Sequence, residues 1–487
     1  MMSSPELSNR ARFTLRLLGA GSAIALAVGP VAAHAQPAAS EQPETAEARG
    51  AEPGAVPEGE EGEAIVVTGF RQSLRAALNQ KRDANAIVDV IRAEDIADFP
   101  DNNLAESIQR IPGVTITRDQ GEGRQITVRG LGPLFTRVRI NGMEGLSTTG
   151  GADASGGANR SRSFDFNIFA SELFNQITVR KSATADVEEG SLGATVDLQT
   201  ARPFDYRDDM VFAGSVQAGY NDLSEEVDPR LAALFSTQLL DGRLGILLSA
   251  AYSTRGIREE GPSTVRWERS TDNNGFNAAS TLPTGATAGT AYYHPRIPRY
   301  DSYLYDTERL GLTGSIQLRP TDTTLLSFDA LYARFDSQRG EQYLEAISFS
   351  RGGTGKPQTV ILPGAVVDEN NSLVSGTFNN VDVRVESRFD ELTTEFQQYT
   401  ASLSQELGER LTVNLLGGYS QSSFRNPIQT TVALDVANVQ GYSYDFTRGR
   451  LPQFSYGNLD VADPSRYTLG EIRLRPQFVD NSFRVAR

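Results

Sequence analysis

One short segment of this chain concentrates side chains that are suited to binding ligands. Residues 292–300 read Tyr-Tyr-His-Pro-Arg-Ile-Pro-Arg-Tyr and combine aromatic rings with cationic groups. An aromatic ring offers an apolar face, and arginine pairs with anions, so the segment suits stacking on sugars or contact with anionic chelates. We predict ligand binding by five of its side chains: Tyr292, Tyr293, His294, Arg296 and Tyr300. An ordinary surface loop is the alternative interpretation.

Several classes of chemistry are excluded by the composition of the chain. It has no cysteine, which rules out disulfides, thiolate metal sites and thiol catalysis. Its two histidines, His34 and His294, are too few for a multi-histidine metal site. The sequence contains neither H-E-x-x-H nor G-x-S-x-G, and Gly352–Lys356 lacks the spacing of a P-loop. We predict a protein that is not an enzyme, with no catalytic residue, no metal site and no cofactor. The net charge of −15 argues against nucleic-acid binding.

The N-terminus has the three parts of a secretory signal peptide. Three arginines among residues 10–16 precede the apolar run Leu17–Ala33, and residues 33–35 read Ala-His-Ala, a typical cleavage site. A transmembrane anchor is the alternative, but the run is shorter than the ~20 apolar residues that a span requires. We predict a signal peptide over residues 1–35. Residues 36–62 are rich in Pro, Ala, Gly and Glu, which predicts a flexible acidic leader.

A β-prone segment follows the leader. Residues 63–70 read Glu-Ala-Ile-Val-Val-Thr-Gly-Phe, and the β-branched side chains at its centre favour an extended backbone. A segment of this kind beside a flexible leader is well placed to add a strand to a partner's sheet. An ordinary first strand of the next domain is the alternative.

Residues 71–206 predict a small α+β domain. Arg71–Arg82 favour a short helix. A second helix is predicted after Asn103, which caps it, with Glu106 completing a capping box and Pro112-Gly113 ending it. Asn141-Gly142 is a tight-turn signal between strand-like runs.

Residues 207–487 show a different periodicity, typical of the strands of a membrane barrel. Apolar side chains alternate with small or polar ones in segments of up to about ten residues, most with an aromatic near one end. Residues 212–220 are one example, with Phe212, Val216 and Tyr220 on one face. Short turns alternate with the long polar segments Arg255–Tyr300 and Gln338–Val381, as in outer-membrane barrels. A soluble β-sandwich is the alternative, since its strands also alternate.

Several motifs together resemble the TonB-dependent receptors of the bacterial outer membrane. Ile65–Gly69, Ile-Val-Val-Thr-Gly, looks like the TonB box. Asn103–Val114 is similar to the helix of the family's plug domain, and Ile126–Gly130 to its I-x-I-R-G strand. Arg137–Gly142 resembles the hairpin that follows, and Val179–Ser182 with Glu189–Val196 resembles the closing block. Ala194 stands where that block usually has glycine. The style of the plug is closest to the Xanthomonas/Caulobacter-type subfamily, which implies carbohydrate uptake.

The resemblance implies an α+β plug domain inside a transmembrane antiparallel β-barrel of 22 strands. Residues 63–70 then form the TonB box, residues 71–206 the plug, and residues 207–487 a partial barrel that holds only eight to ten strands. We therefore expect a receptor truncated within its barrel, exported to the cell outer membrane.

The function that the resemblance implies is import of a bulky, scarce ligand, an oligosaccharide or a ferric chelate, with energy from TonB. The expected partners are TonB, outer-membrane lipid and the ligand. The residues expected to contact TonB are Ile65, Val66, Val67, Thr68 and Gly69. A passive pore, an adhesion barrel and a non-functional receptor fragment are the alternatives.

Overall fold

The structure, a computed structural model, describes residues 68–92, 103–119, 121–149, 161–185, 187–273, 275–347, 349, 358–449 and 451–486. The predicted signal peptide, the leader and Ile65, Val66 and Val67 lie outside these residues. Within the described ranges, no helix is long and apolar enough to cross a membrane.

The N-terminal part of the described chain contains both α-helices and a small mixed sheet. The elements are α1 (Thr68–Asp83), β1 (Val88–Arg92), α2 (Leu104–Gln109), β2 (Val114–Asp119), β3 (Glu122–Val128), β4 (Thr136–Ile140), β5 (Met143–Glu144), β6 (Phe174–Arg180) and β7 (Ala194–Thr200). The sheet has the order β1-β6-β7-β4-β5, in which β4 and β7 are parallel, and β2 and β3 form a separate hairpin. This is the predicted α+β domain, which we call the plug.

Helix α1 begins three residues before the predicted start at Arg71. The expectation of an extended backbone through Phe70 is therefore wrong for Thr68, Gly69 and Phe70. Strong helix formers follow them at residues 75–78, and a nucleated helix gains one backbone hydrogen bond for each residue it adds.

Two local predictions in the plug are confirmed. The Asn103 side chain caps α2 by accepting a hydrogen bond of 3.2 Å from the Glu106 amide. Asn141 and Gly142 both have positive φ, 50° and 86°, which is the backbone of a type I′ turn between β4 and β5. The capping box is not formed, because the Glu106 carboxylate pairs instead with Arg118 at 2.8 Å.

The C-terminal part contains long antiparallel strands and several short ones. The elements are β8 (Met210–Asn221), β9 (Glu226–Leu239), β10 (Leu244–Ser263), β11 (Trp267–Arg269), β12 (Tyr293–Pro295), β13 (Arg299–Thr321), β14 (Thr324–Ala346), β15 (Val360–Ile361), β16 (Val366–Val367), β17 (Leu373–Asn379), β18 (Val381–Glu406), β19 (Thr412–Val439), β20 (Tyr442–Asp445), β21 (Gln453–Tyr456), β22 (Thr468–Leu474) and β23 (Gln477–Ala486). The main sheet has the order β22-β19-β18-β14-β13-β10-β9-β8, and β23 continues β22 along the same edge of β19.

This sheet is an antiparallel meander that wraps one side of the plug. It is open between β8 and the β22–β23 edge in the described residues, as the prediction of a partial barrel expects. The predicted period-two faces are confirmed. Phe212, Val216 and Tyr220 point outward and are largely exposed, as are Ile316 and Phe328 farther along the sheet.

The opposite face of the same strands packs on the plug. Leu234, Leu247, Leu331 and Phe396 point inward and share one hydrophobic core with plug residues such as Phe169. The Phe169 and Phe396 rings meet edge to face, with 5.0 Å between their centroids. The plug is thus anchored to this main sheet, which we call the wall, through apolar packing as well as through polar contacts.

The strands are longer than the sequence predicted. β10 continues to Ser263, β13 begins at Arg299, and β14 continues to Ala346, so both predicted long loops lose residues to the sheet. The expectation of strands near ten residues is wrong, and β19 reaches 28 residues. Beyond the apolar band both faces of a strand carry polar side chains, so the alternation that reveals a strand disappears there.

The long connections pack together into a second core, which we call the loop domain. Its interior contains Tyr292, Phe349, Phe378, Tyr442 and Tyr444. It also covers apolar side chains on the outward face of the strand ends, including Val383 and Val436. The short turns lie at the opposite ends of the strands, so the loop domain marks the extracellular side.

Two glycines of β13 give a matched test of the contact between plug and wall. A Cβ added at Gly311 would lie 3.0 Å from Leu173 Cγ and closer still to Leu173 Cδ1, and Leu173 is buried in the plug. A Cβ at the outward Gly314 meets only Leu248 at 3.4 Å and the Leu247 carbonyl oxygen at 3.9 Å. We predict that Gly311→Val lowers the free energy of unfolding by about 1–3 kcal/mol, the range for an overpacked core, in thermal denaturation of the detergent-solubilised protein. Gly314→Val should change it much less, and equal effects would contradict this packing.

Candidate functional site

A buried carboxylate at the tip of the β2–β3 hairpin joins the plug to the wall. Glu122 is fully enclosed and pairs with Arg255 of β10 at 2.8 Å and with Arg309 of β13 at 2.7 Å. Arg309 Nε also donates a 2.8 Å hydrogen bond to the carbonyl oxygen of Asn167 in the plug. Two strands of the wall therefore hold the hairpin through one carboxylate.

Other polar contacts seat the rest of the plug. Arg202 reaches Asp329 of β14 at 2.6 Å, and Arg230 of β9 pairs with Glu172. Backbone carbonyls of the plug also accept hydrogen bonds from the wall. Gln398 donates to Ile140 at 2.6 Å, and Thr394 donates to Thr148 at 2.9 Å. These ion pairs and hydrogen bonds, which we call the plug seat, are mostly shielded from water and add to the apolar packing between plug and wall.

Two carboxylates of the hairpin respond to this environment in opposite directions. Burial by itself raises the pKa of Glu122, but Arg309 and Arg255 outweigh it, and the pKa lies below its ordinary value of 4.5. Burial raises the pKa of Asp119 above its ordinary value of 3.8, although Arg124 lies 3.1 Å away. Glu122 is therefore charged at neutral pH, which keeps its two arginines paired.

Beyond the hairpin, toward the loop domain, inward side chains form a charged surface that we call the vestibule wall. Its arginines are Arg299, Arg384, Arg388 and Arg473, while Arg339 on the same face of the sheet is fully buried. Three of them converge on the buried carboxylate of Glu386, at 3.7 Å for Arg384, 2.5 Å for Arg388 and 3.5 Å for Arg473. The side chains of these three remain partly exposed, from 12% for Arg388 to 24% for Arg473.

Tyrosines and further carboxylates complete the vestibule wall. The Tyr343 ring lies between two guanidinium groups, 4.2 Å from that of Arg299 and 5.0 Å from that of Arg388. Its hydroxyl donates to Glu341 at 2.7 Å. Tyr303 stacks on Tyr305 with 5.8 Å between ring centroids. The vestibule wall therefore combines cationic groups and carboxylates with aromatic rings, of which Tyr303 is partly exposed and Tyr305 and Tyr343 are buried.

The structure does not bring the five predicted ligand-binding side chains together on one surface. Tyr292 and His294 are buried in the loop domain, where His294 packs 4.9 Å from the Phe276 ring. Burial lowers the pKa of His294 and raises that of Tyr292 to about 12. The aromatic core of the loop domain encloses these two residues in this conformation, and ligand binding by Tyr292 and His294 stays a prediction.

The other three predicted residues face different surroundings. Tyr293 is exposed on the loop domain, and Arg296 lies 3.8 Å from Glu268. Tyr300 is exposed on the outward face of β13, on the same side as Leu304 and Ile316. Tyr300 therefore points away from the vestibule wall. Ligand binding by Tyr293 and Arg296 stays a prediction.

Sequence reasoning missed the vestibule wall because it placed residues after Gln338 in a loop. Arg339, Glu341, Tyr343 and Glu345 occupy every second position of β14, and the intervening Gly340, Gln342 and Leu344 form no continuous apolar face. The alternation of charged or aromatic residues with these three was the available signal.

The plug matches a known domain family. Residues 80–195 match the TonB-dependent receptor plug domain. The ferric enterobactin receptor PirA of Pseudomonas aeruginosa is 32% identical over 153 residues, which is 30% of this chain and 20% of that protein. A probable TonB-dependent siderophore receptor of Acinetobacter baumannii is 29% identical over 122 residues, 24% of this chain and 16% of that protein. Residues 80–195 thus carry the plug domain found in TonB-dependent receptors, a family of outer-membrane proteins.

The similarity to solved structures is distant. The siderophore receptor PirA from Pseudomonas aeruginosa aligns with a TM-score of 0.33 and 16% identity, over 75% of this chain and 57% of that one. The ferric citrate transporter FecA aligns with a TM-score of 0.30 and 13% identity, over 87% and 62%. The segments that align with the curated relatives span about a fifth of those relatives' length.

Replacing Glu122 tests the plug seat of this receptor. Glu122→Gln leaves the buried Arg309 and the partly exposed Arg255 without their counter-charge, and the loss of a buried partner costs about 3–5 kcal/mol in comparable pairs. We predict faster hydrogen exchange in β2 and β3 at pH 7, measured by mass spectrometry on the solubilised protein. Glu188→Gln, at a half-exposed plug pair with Arg137, should leave this exchange unchanged.

The pH dependence of the same exchange provides a second readout. Because the pKa of Glu122 is lowered in the folded protein, its stabilising effect is complete above pH 4.5 and is lost as the pH falls through the lowered value. Wild-type protection of the hairpin should fall in that acidic range, and the fall should be smaller in Glu122→Gln. Identical acid profiles would contradict the role of this carboxylate.

Proposed function

We propose that this receptor binds a bulky ligand at the vestibule wall and admits it to the periplasm when TonB displaces the plug. The proposal rests on the position of the vestibule wall relative to the plug along the same strands. A charged, aromatic and partly exposed surface lies directly beyond a plug held by buried ion pairs. Binding occurs on the extracellular side of the seat, and passage requires the seat to open.

A ferric chelate is the ligand class that we favour. Arg384, Arg388 and Arg473 converge within 3.7 Å of the Glu386 carboxylate, which concentrates three guanidinium groups at one point of the wall. Guanidinium forks suit anionic oxygen ligands, and the partly exposed Tyr303 suits planar aromatic groups. Two similar proteins of Pseudomonas aeruginosa are named ferric enterobactin receptors, which supports this class.

An oligosaccharide is the second candidate, and one observation favours it. Carboxylates accompany the arginines across the wall, with Asp435 at 2.7 Å from Arg384 and Glu471 at 2.8 Å from Arg473. Carboxylates accept hydrogen bonds from sugar hydroxyls and repel anions. The predicted Xanthomonas/Caulobacter-type resemblance points to the same class.

The contact with TonB belongs to residues Ile65–Gly69 in this proposal. An extended Ile-Val-Val run adds a strand to the edge of a partner's sheet through main-chain hydrogen bonds. Helix α1 starts at Thr68, so force applied to this segment would reach the plug through α1 and its neighbour β1.

Arg473→Gln tests the ligand site. We predict that the affinity of the purified protein for ferric enterobactin, measured by isothermal titration calorimetry, falls roughly tenfold or more, as for loss of a charge-assisted hydrogen bond. Arg448→Gln, at an exposed loop-domain pair with Asp445, is the matched control and should bind as wild type. Binding of a linear maltooligosaccharide in place of ferric enterobactin, with the same loss in Arg473→Gln, would instead support the second candidate.

Deletion of residues 65–69 tests the coupling to TonB. The deletion variant should bind ligand with unchanged affinity, because its vestibule wall is intact. Its uptake of ligand into cells should fall to background. Uptake of radiolabelled ferric chelate in cells that express either protein provides the measurement. Unchanged uptake after the deletion would favour a passive pore.

A further inference from the structure

One buried carboxylate at the extracellular end of the vestibule wall is poorly compensated by neighbouring cations. Glu345 lies on β14 beside the loop domain, since the next residue, Ala346, is part of that core. Its side chain is only 6% exposed. Within the described ranges its carboxylate makes one ion pair, with Arg299 at 3.8 Å, and no hydrogen bond. The same guanidinium lies closer to Asp301, at 3.2 Å, so Glu345 shares a cation that is already paired.

Other carboxylates of the vestibule wall have closer partners. Glu386 is also buried, but three arginines converge on it. Glu341 accepts the 2.7 Å hydrogen bond from the Tyr343 hydroxyl and lies 3.6 Å from Arg388. That hydroxyl is therefore not available to Glu345. A buried carboxylate without close partners is stabilised in its protonated form, which places Glu345 apart from the others.

Acidic side chains outnumber the four arginines of this surface. The carboxylates are those of Asp301, Glu341, Glu345, Glu386, Asp435 and Glu471. If all of them were ionised, the vestibule wall would carry a net negative charge and repel an anionic ligand. Each proton that the wall takes up lowers this repulsion.

Glu345 faces charged groups on the strands to either side. Arg299 of β13 and Arg384 of β18 lie directly opposite it, and Glu386 follows Arg384 on the same face of β18. Directly opposite side chains have their Cβ atoms about 5 Å apart. An anion bound to Arg384 would therefore lie close to both carboxylates. The other charged or titratable groups on this face are Asp301 and Tyr303 of β13, Glu341 and Tyr343 of β14, Arg388 of β18, Asp435 of β19, and Glu471 and Arg473 of β22.

Protonation of Glu345 is close to balance at neutral pH. Burial and the neighbouring Glu386 raise the pKa of Glu345 to about 7, although Arg299, Arg384 and Arg388 oppose the rise. A bound anion raises the proton affinity of Glu345 further, because a like charge disfavours the ionised carboxylate. By linkage, protonation of Glu345 raises the affinity for the anion by the same factor.

We propose that Glu345 makes the vestibule wall selective for anionic ligands by taking up one proton when such a ligand binds to Arg384 and its neighbours. The proton passes from water to a carboxylate oxygen of Glu345, and no covalent bond of the ligand changes. The affinity for an anion therefore rises as the pH falls through neutrality, whereas the affinity for a neutral ligand does not. This role rests on the proposed function, because Glu345 belongs to the same ligand site.

Isothermal titration calorimetry of the full chain in detergent, with ferric enterobactin as the anionic probe, tests this role. Wild type should bind roughly tenfold more tightly at pH 6 than at pH 8.5, the effect of a coupling of about one pKa unit. At pH 7, titrations in phosphate and in Tris, whose ionisation enthalpies differ, should show uptake of roughly half a proton, because about half of the free protein already carries it. Any affinity for a linear maltooligosaccharide, the neutral probe, should not change with pH.

Two variants separate proton uptake from a general change of charge. Glu345→Gln imitates the protonated side chain, so it should bind ferric enterobactin at pH 8.5 as tightly as wild type does at pH 6, and take up no proton. Glu471→Gln also removes a negative charge, but Glu471 is 39% exposed and pairs with Arg473 at 2.8 Å. This control should keep the pH dependence and the proton uptake of wild type.

The outcomes distinguish the role of Glu345 from the proposed function. A wild-type affinity for ferric enterobactin that does not change with pH, or a Glu345→Gln variant that keeps the wild-type pH dependence, would overturn the role and leave the proposed function intact. Binding of the maltooligosaccharide alone would also overturn the role, because the ligand would be neutral. If neither probe bound at any pH, the proposed function would fail, and the role of Glu345 with it.

Discussion

The pairing of Glu122 with Arg255 and Arg309 is the interaction on which the relation between plug and wall depends. Charges that are removed from water are stable only when they are paired, so the three groups hold one another in place. Arg309 also bonds to a plug carbonyl, which ties a second part of the plug to the same strand. Any movement of the hairpin must separate these charges or carry water to them. Separating these charges therefore has an energetic cost, which holds the hairpin against the wall.

Each long strand contributes to three surfaces, which differ in the face of the sheet and in the position along the strand. On β14, Phe328 points outward to lipid, Leu331 points inward to the plug core, and Tyr343 lines the vestibule wall. The strict period of two keeps these surfaces apart without any change in the backbone. The bulge between β18 and β19 is the local exception, and it lies where the outward face changes from apolar to polar. One sheet thus presents separate surfaces to the membrane, to the plug and to the space lined by the vestibule wall.

Predictions from the sequence succeeded where the determining interactions are local. The Asn103 cap, the Asn141-Gly142 turn and the outward apolar faces each depend on residues a few positions apart. The burial of His294 was missed because it depends on aromatic residues from separate connections, such as Phe276 and Phe349. The partners of Glu122 were missed for the same reason, since Arg309 is 187 positions away. The polar ends of the strands, beyond the membrane, lack an apolar alternation, so the sequence did not predict them as strands.

The central claim is that the plug must leave the wall before ligand can pass, and a reversible lock tests it directly. The chain has no cysteine, so Leu173→Cys with Gly311→Cys introduces one defined pair. The Cβ position at residue 311 lies 3.0 Å from Leu173 Cγ, which is compatible with a disulfide across the seat. Uptake of ferric chelate by cells should stop when the pair is oxidised and return when a reductant opens it, while ligand binding persists in both states. Undiminished uptake by the oxidised protein would contradict the account.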